Sequence, residues 1–446
     1  MNSGKTMSTS KPSQTFDPSS LPAPITVAVI GLGYVGLPLC RAMLDAGCRV
    51  IGVDNDPDKV EMLEKGESYL NHLGPDFARV LQASSLFSPT TNTGRLAEAD
   101  AVLVCVPTPL DKQQEPDLRY VKSSARNIAQ ALAIRGRSQI VVLESTTYPG
   151  TTREVLKPAL DETGIPYYLA FSPERVDPGR VDPPLVRIPK IVGGIDDEST
   201  AAAAAVYSKA FETIVPVKSC EIAESAKLME NIYRAVNIAL VNEMKIVLDK
   251  MGVDIWDVVK AASTKPFGFS PFFPGPGLGG HCIPIDPFYL SWRARQIGEE
   301  ARFIELAGLV NRSMPNHVVD KTIEAVREKT GENPKRVLVL GLAYKPDVDD
   351  LRESPSFQII HLLKQHDIAP DYSDPYVPTT KHMRHYGDLG LQSVPLTSEN
   401  LHSYDAVIVS TAHHAFDWNL ILEHARVIID TRNVFGEVEN PKIIKA

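Results

Sequence analysis

Short apolar, β-branched runs recur along this chain, punctuated by glycines and polar residues. Val27-Ala28-Val29-Ile30 enters Gly31-Leu32-Gly33-Tyr34-Val35-Gly36, and a helical pattern follows from Leu37 to Ala46. Val50-Ile51-Gly52-Val53 then predicts a second strand, closing on Asp54. Further strands are predicted at Ala101 to Cys105, Ile140 to Leu143 and Tyr167 to Phe171. Such runs between turn residues are the pattern of buried parallel strands. From Glu221 to about Lys250 the chain is rich in Ala, Leu, Ile and Met and free of Pro and Gly, which predicts one long helix. A second helix is predicted from about Phe288 through Asn311.

The pattern repeats. Val27 to Tyr34 is echoed by Val337-Leu338-Val339-Leu340-Gly341-Leu342-Ala343-Tyr344, and Asp100 to Val104 by Asp405-Ala406-Val407-Ile408-Val409. Asp56-Pro57 has a counterpart in Asp374-Pro375. The fold expected is α/β: two Rossmann-like doubly wound domains joined by a central helical domain with a long helix. The boundaries expected are a disordered tail at 1–24, a dinucleotide-binding domain at 25–212, a helical domain at 213–315 and the second Rossmann-like domain at 316–446. The tail is assigned from its Ser, Thr and Pro content and its lack of an apolar core.

Length fits two to three domains: 446 residues exceed what one core supports. The formal charge of −9 argues against nucleic acid as a partner, so an anionic ligand must meet local basic residues. No apolar run reaches membrane-spanning length, so no membrane partner is expected. The cysteines Cys40, Cys48, Cys105, Cys220 and Cys282 lack metal or disulfide spacing, which points to a reducing cytoplasm and no metal.

Gly31, Gly33 and Gly36 form G-x-G-x-x-G between a strand and a helix, with Asp54 ending the next strand. That is a dinucleotide fingerprint. Gly31 makes the turn, Gly33 admits the pyrophosphate, and Gly36 lets helix and strand pack. Tyr34 and Val35 complete the loop. Asp54 suits the ribose hydroxyls and favours NAD over NADP. In the second half Ala343 stands where Gly33 stands, so a pyrophosphate is sterically disfavoured there. Lys345 and Arg352 follow, which suits a different phosphate ligand, such as a nucleoside diphosphate, met by side chains.

Cys282 lies in the glycine-rich stretch Pro274-Gly275-Pro276-Gly277-Leu278-Gly279-Gly280-His281, with Asp286 four residues on. A cysteine so placed serves as a nucleophile if its thiolate is stabilised, although a buried thiol in a tight turn would read the same in isolation. Lys227 and Asn231 are spaced i, i+4 and share one face of the long helix. Thr108, Thr146 and Glu174 follow predicted strands, in Val106-Pro107-Thr108-Pro109, Glu144 to Gly150 and Ser172-Pro173-Glu174. Ligands of open α/β sheets bind beyond such carboxyl ends, so these groups are expected to converge on one crevice.

Taken together, these motifs resemble the nucleotide-sugar 6-dehydrogenases of the UDP-glucose and GDP-mannose dehydrogenase superfamily. The resemblance spans about residues 25–440 and rests on G-L-G-Y-V-G, C-V-P-T-P, S-T-T-Y-P-G, S-P-E-R, the Lys227/Asn231 pair, the cysteine loop, G-L-A-Y-K and Asp430-Thr431-Arg432. It implies Cys282 as nucleophile, Lys227 and Asn231 as holders of substrate oxygen and water, and Asp286 as an aid to water or proton transfer. Thr146 and Glu174 would support the same chemistry. An alcohol at sugar C6 would lose hydride to NAD, and the aldehyde would be captured by Cys282 as a thiohemiacetal. A second oxidation would leave a thioester, released by water as the carboxylate.

The same resemblance implies cofactor contacts from Gly31, Gly33, Tyr34, Val35, Gly36, Asp54, Thr108, Thr146 and Arg352. Substrate contacts would come from Glu174, Arg175, Lys227, Asn231, Gly279, Lys345 and Arg432. The 316–446 segment would bind the UDP part of the sugar, and the central helices would build a homodimer or larger homo-oligomer. The chain departs from the UDP-glucose pattern at Ile285, where a lysine is common, at His281, and at Pro178, where a second glutamate is common. These features, with Pro284 and Phe288-Tyr289, resemble the UDP-N-acetylglucosamine branch, which supplies uronates for surface polysaccharides. UDP-N-acetylmannosamine or UDP-glucose remains an alternative substrate. A non-catalytic NAD-sensing module is the alternative from another class, though it leaves Cys282, Lys227 and Asp286 without a task.

Overall fold

The structure, a computed structural model, describes residues 16–111, 115–176, 182–380 and 390–446, the side chain of Asn71 apart. It divides into two compact units. The first comprises the chain up to Leu70, Gly74–Pro109 and Asp117–Lys227; the second comprises Asn71–Leu73, Leu110–Pro116 and Leu228–Ala446.

The first unit is built on an eight-stranded sheet. Its strands are β1 (Thr26–Ile30), β2 (Arg49–Val53), β3 (Phe87–Thr90), β4 (Ala101–Val104), β5 (Gln139–Leu143), β6 (Tyr167–Phe171), β7 (Lys190–Gly194) and β8 (Ile214–Val217). Their order is β3-β2-β1-β4-β5-β6-β7-β8. From β3 to β6 all neighbours are parallel, so β1, β4 and β5 are covered on both faces and almost wholly apolar. β7 pairs antiparallel with β6, and β8 runs with β7. Of the expected tail, residues 1–15 lie outside the described residues. Pro18–Ser20 makes one 3₁₀ turn, and the Phe16 ring meets Tyr168 edge-on with centroids 5.1 Å apart.

The second unit carries a five-stranded parallel sheet: β9 (Arg336–Leu340), β10 (Ala369–Ser373), β11 (Ala406–Val409), β12 (Ile428–Asp430) and β13 (Ile443–Lys445), in the order β10-β9-β11-β12-β13. This repeats β2-β1-β4-β5-β6 strand for strand. Even the edge contacts repeat. Asp100 Oδ2 accepts from the Thr26 N–H at 3.0 Å, and Asp405 Oδ2 accepts from the Lys335 and Arg336 N–H groups at 2.7 and 3.0 Å.

One pairing inferred from the echo is corrected. Asp374 corresponds to Asp54, not to Asp56. Asp374 directly follows β10 as Asp54 follows β2. Asp54 accepts the Leu32 N–H at 2.8 Å; Asp374 accepts the Leu342 and Ala343 N–H groups at 2.6 and 3.0 Å. The shared Asp-Pro dipeptide is out of structural register.

The long helix runs Cys220–Lys250 and contains the boundary between the units. The single helix expected from Phe288 to Asn311 is instead two, Asp286–Gln296 and Arg302–Thr330. Gly298 takes the left-handed conformation at φ +80° just past the first helix, which ends it as glycine commonly does. Pro315 lies inside the second. Among the described residues, no helix is long and apolar enough to cross a membrane.

Candidate active site

The turn after β1 has a distinct task at each glycine. Gly31 sits at φ +95°, where a Cβ would lie 2.6 Å from the Cys105 carbonyl oxygen. A Cβ on Gly36 would lie 1.8 Å from the Gly31 oxygen, so helix Gly36–Asp45 packs directly on the turn. Gly33 has nothing within 4 Å of its Cβ direction, which leaves an open cradle. No side chain caps that helix at Val35; the Leu37 and Leu39 N–H groups reach the Gly33 and Val35 carbonyls at 3.1 and 3.2 Å and Pro38 has none, so what the helix start offers an anion is chiefly its dipole beside the open loop. Asp54 closes the second strand and is buried. Its Oδ2 takes the Leu32 N–H, and Lys59 Nζ stands 3.4 Å away at the rim. An open cradle, an uncapped helix start and a carboxylate beyond it fit a dinucleotide's pyrophosphate and ribose.

Along the same sheet edge, Thr108 follows β4 and Thr146 follows β5. Thr108 Oγ1 donates to the Thr146 carbonyl at 2.7 Å, so the two loops are tied. Glu174 follows β6. Its Oε1 accepts from the N–H groups of Arg175 and Val176 at 2.6 and 2.8 Å, and its Oε2 faces Lys190 Nζ at 3.2 Å. Burial alone would raise this carboxyl; the Lys190 charge and the two backbone donors reverse that and hold it below its usual range. Arg175 directs Nη1 to the Pro189 carbonyl at 2.9 Å. Pro178 lies outside the described residues.

The second unit holds the cysteine loop. Asp286 begins the helix Asp286–Gln296 and its carboxylate is fully buried. Asn231 Nδ2 donates to its Oδ2 at 2.7 Å, and His281 Nδ1 lies 3.2 Å from its Oδ1. Cys282, half-exposed, sits in the turn between His281 and Asp286. The other cysteines differ. Cys40, Cys48 and Cys220 are buried, and burial pushes the thiols of Cys40, Cys105 and Cys220 up, the last to about 12. Such thiols are inert at neutral pH.

The loop is fastened to the C-terminal sheet's own turn. The Gly280 N–H donates to the Arg352 carbonyl at 2.8 Å, and a Cβ on Gly279 would lie 2.4 Å from Tyr344 Cβ. Gly275 donates to Asn242 Oδ1 at 3.0 Å, and the guanidinium of Arg432 stands 2.7 Å from where its Cβ would be. Arg432 is aimed by its Nε bond to the Ser410 carbonyl at 2.8 Å. Lys345 Nζ lies 5.7 Å from the Tyr344 ring centre. Arg352 pairs with Asp350, Nη2 to Oδ2 at 2.6 Å. The segments bearing all three expected cations therefore touch or adjoin the cysteine loop.

The structure thus gathers Thr108, Thr146 and Glu174 on one rim of the first unit. It gathers Asn231, Asp286, Gly279, Lys345, Arg352 and Arg432 about the Cys282 loop of the second. Lys227 lies one helical turn before Asn231 on Cys220–Lys250, and both are buried. Sequence reasoning left out Lys190, Glu144 and Tyr207, and it noted His281 without a partner. A buried Lys beside two strand-end glutamates has no sequence spacing that announces it.

Residues 25–211 match the NAD binding domain of the UDP-glucose/GDP-mannose dehydrogenase family, 221–313 its central domain and 338–437 its UDP binding domain. The chain is 33% identical over 428 residues to the UDP-N-acetyl-D-glucosamine 6-dehydrogenase of Pseudomonas aeruginosa, spanning 93% of this chain and 96% of that one. It is 35% identical over 356 residues to the UDP-N-acetyl-D-mannosamine dehydrogenase of Escherichia coli K12, spanning 76% and 83%. Among solved structures, a UDP-D-ManNAc dehydrogenase from Pyrococcus horikoshii superposes with a TM-score of 0.82 at 30% identity, over 93% of this chain and 97% of that one. A UDP-glucose dehydrogenase from Pyrobaculum islandicum gives 0.83 at 27% identity, over 94% and 98%.

Proposed function

The chain belongs to the UDP-glucose/GDP-mannose dehydrogenase family, and from that premise we propose that it oxidises the C6 hydroxyl of UDP-N-acetylglucosamine to the uronate. At the coarser level it is an NAD-dependent UDP-sugar 6-dehydrogenase. The observation that carries the covalent chemistry is the buried Asp286, held between Asn231 and His281 in the turn that bears Cys282. NAD supplies the hydride acceptor, and Gly31, Gly33, Tyr34, Val35, Gly36 and Asp54 hold it.

In this reading Cys282 attacks the C6 aldehyde and keeps it on the enzyme as a thiohemiacetal between the two oxidations. Lys227 steadies the developing oxyanion. Asn231 orients the water that ends the cycle, and Asp286 takes its proton, with His281 opposite to share it. Glu174, Thr146 and Thr108 serve the reacting end of the sugar and the cofactor from the first unit. Lys345 and Arg432 hold the diphosphate beside the cysteine loop, with Arg175 and Gly279 completing the sugar site and Arg352 serving a cofactor phosphate. The product would enter surface polysaccharide synthesis in the cytoplasm.

Relatives named for N-acetylhexosamines support the acetamido group at C2. The P. aeruginosa enzyme is named for the gluco form, while a relative named for the manno epimer, from Methanococcus vannielii, matches at the same 33% identity over 92% of this chain, so the gluco form rests on the residues about the cysteine loop rather than on the span. The P. horikoshii structure, named for the manno epimer, supports UDP-N-acetylmannosamine as the second reading. On the helix Cys220–Lys250 and just beyond, Met229, Tyr233, Leu240, Met244, Val247 and Met251 form one exposed apolar stripe, which supports a second copy of the chain as its cover.

The test is a panel of UDP-sugars with NADH counted per sugar consumed. UDP-N-acetylglucosamine is expected to give the highest kcat/KM and two NADH. A higher value for the manno epimer moves the assignment to the second reading. One NADH with free aldehyde overturns the four-electron scheme. Cys282→Ser is expected to bind both ligands yet lose acid production, because an alkoxide leaves poorly; full acid yield from that variant rules out covalent capture.

A further inference from the structure

Lys190 has no part in the scheme so far. The reversal of strand direction at β7 explains where it sits. Phe171 of β6 pairs with Gly193 and Ala170 with Gly194, so β7 begins three residues earlier, beyond the carboxyl end of β6. That places Lys190 at the sheet edge where Glu144 leaves β5 and Glu174 leaves β6. Its side chain is 3% exposed, with Nζ 2.8 Å from Glu144 Oε2 and 3.2 Å from Glu174 Oε2. The Tyr207 hydroxyl donates to the other oxygen of Glu144. The rings of Tyr207 and Phe211 flank the ammonium at 5.1 and 5.3 Å.

A buried ammonium needs a carboxylate, and one suffices for charge balance. Here there are two. Glu144 and Tyr207 alone would satisfy a structural lysine. The second contact goes to Glu174, whose other oxygen is already fixed by two backbone N–H groups. Every contact on Glu174 therefore narrows its carboxylate to one orientation.

We propose that Lys190 is a positioning residue: it clamps the Glu174 carboxylate in one rotamer and acts as its counter-ion, while Glu144 and Tyr207 hold the ammonium from behind. This rests on the reading of Glu174 as a group that acts at the substrate. The titratable groups facing Lys190 are Glu144 from the end of β5, Glu174 from the end of β6, Cys105 from the end of β4 and Tyr207 from the helix Asp197–Tyr207. Burial would push the Lys190 ammonium down, but the two carboxylates more than offset it and hold it up. Burial pushes Glu144 up. Glu174 is held low, so it stays ionised to lower pH than a free glutamate. Removing the Lys190 charge takes away the largest lowering influence, and the acid limb of kcat must then move to higher pH.

The experiment uses Lys190→Met/Glu144→Gln, which removes one charge of each sign, keeps the net charge of the site unchanged and leaves Glu174 without its counter-ion. It is expected to fold and to bind NAD as the parent does. Its kcat is expected to fall by about tenfold to a hundredfold, at or below the low end of the roughly 10²–10⁴ that a general acid–base group itself contributes, and its acid limb to move up in pH. Glu174→Gln, measured alongside, is expected to lose about a hundredfold. If Glu174→Gln is slow while the double variant keeps the parent kcat and acid limb, Lys190 is structural only and the proposal fails alone. If Glu174→Gln keeps the parent kcat, the role of Glu174 fails and that of Lys190 with it. Should the double variant not fold, Tyr207→Phe carries the test. Glu144 then leans on Lys190 alone, and the acid limb is expected to move the same way by a smaller step; an unmoved limb overturns the proposal.

Discussion

The two sheets of this chain share a strand–turn–aspartate plan, yet only the first leaves its turn open. After β1 the helix starts within five residues, with no side-chain cap, and Gly33 faces empty space. After β9 fourteen residues, 341–354, against five after β1, precede the helix Pro355–Gln365, and Ser354 caps it. Ala343 occupies the cradle position. Asp374 is met by the buried His413, whose Nε2 lies 3.0 Å from Oδ2. His413 Nδ1 accepts the Asp347 N–H at 3.0 Å, so the hydrogen on Nε2 is the one that Asp374 receives. Tyr344 is covered by the cysteine loop. One plan has thus become a dinucleotide cradle in the first sheet and a foundation for the cysteine loop in the second. The difference comes from a handful of positions, not from the sheet.

The largest expected effect is at the carbonyl of each turn's first glycine. In the first turn Gly36 lies against it, and a methyl group there would sit 1.8 Å from backbone oxygen. Gly36→Ala is expected to destabilise the first unit by about 3 kcal/mol or more and to abolish NAD binding. In the second turn the same carbonyl accepts Ser356 Oγ at 2.8 Å. Ser356→Ala is expected to cost only about 1–2 kcal/mol, for the loss of this bond and of the 2.7 Å bond with the Ser410 hydroxyl. Thermal unfolding of both variants measures the contrast; equal losses would mean the two turns are built alike.

A smaller effect is expected from exchanging the cradle residues. Gly33→Ala puts into the first turn what Ala343 puts into the second. The open space around Gly33 predicts normal folding with NAD affinity weaker by about tenfold to a hundredfold, or roughly 1.4–2.8 kcal/mol. The reverse change, Ala343→Gly, is expected to create no NAD site, because His413 still holds Asp374 and Ser354 still caps the helix. Calorimetric titration of NAD decides both. Binding gained by Ala343→Gly would show that the alanine alone closes the second turn.

Much of this contrast was legible in the residue order, because it lies in local signals. Gly31, Gly33, Gly36 and Asp54 fall within one βαβ span, and the long helix was expected within one residue of its observed start. What escaped needs long-range geometry. Asp374 was aligned with Asp56 because the Asp-Pro dipeptide matches, whereas function follows distance from the strand end. The helix break at Gly298 was missed because apolar spacing continues across it, and only a left-handed glycine stops it. Lys190 meets Glu144 across 46 residues through the reversal at β7, which no periodicity reveals. His281 was visible as a departure, but its partner Asp286 emerged only when the turn folded back.

The smallest effect concerns the partner beside each aspartate. Asp374 is paired inside the fold, with both side chains fully buried. Asp54 instead has Lys59 at the rim, 3.4 Å away and one-third exposed. In the parent, the Asp54 charge opposes a 2′-phosphate and draws Lys59 toward itself, so NAD is expected to outperform NADP. Asp54→Asn removes the repulsion and releases a cation at the place a 2′-phosphate would occupy. The ratio of kcat/KM for NADP over NAD is therefore expected to rise by less than about tenfold, since an exposed ion pair contributes only about 0.2–1 kcal/mol. Adding Lys59→Ala is expected to cancel most of that rise, and high salt to blunt it. A rise that survives Lys59→Ala unchanged would show that repulsion by Asp54 alone sets the preference. The rim lysine would then be an ordinary surface charge, and the contrast between the two aspartates would reduce to burial.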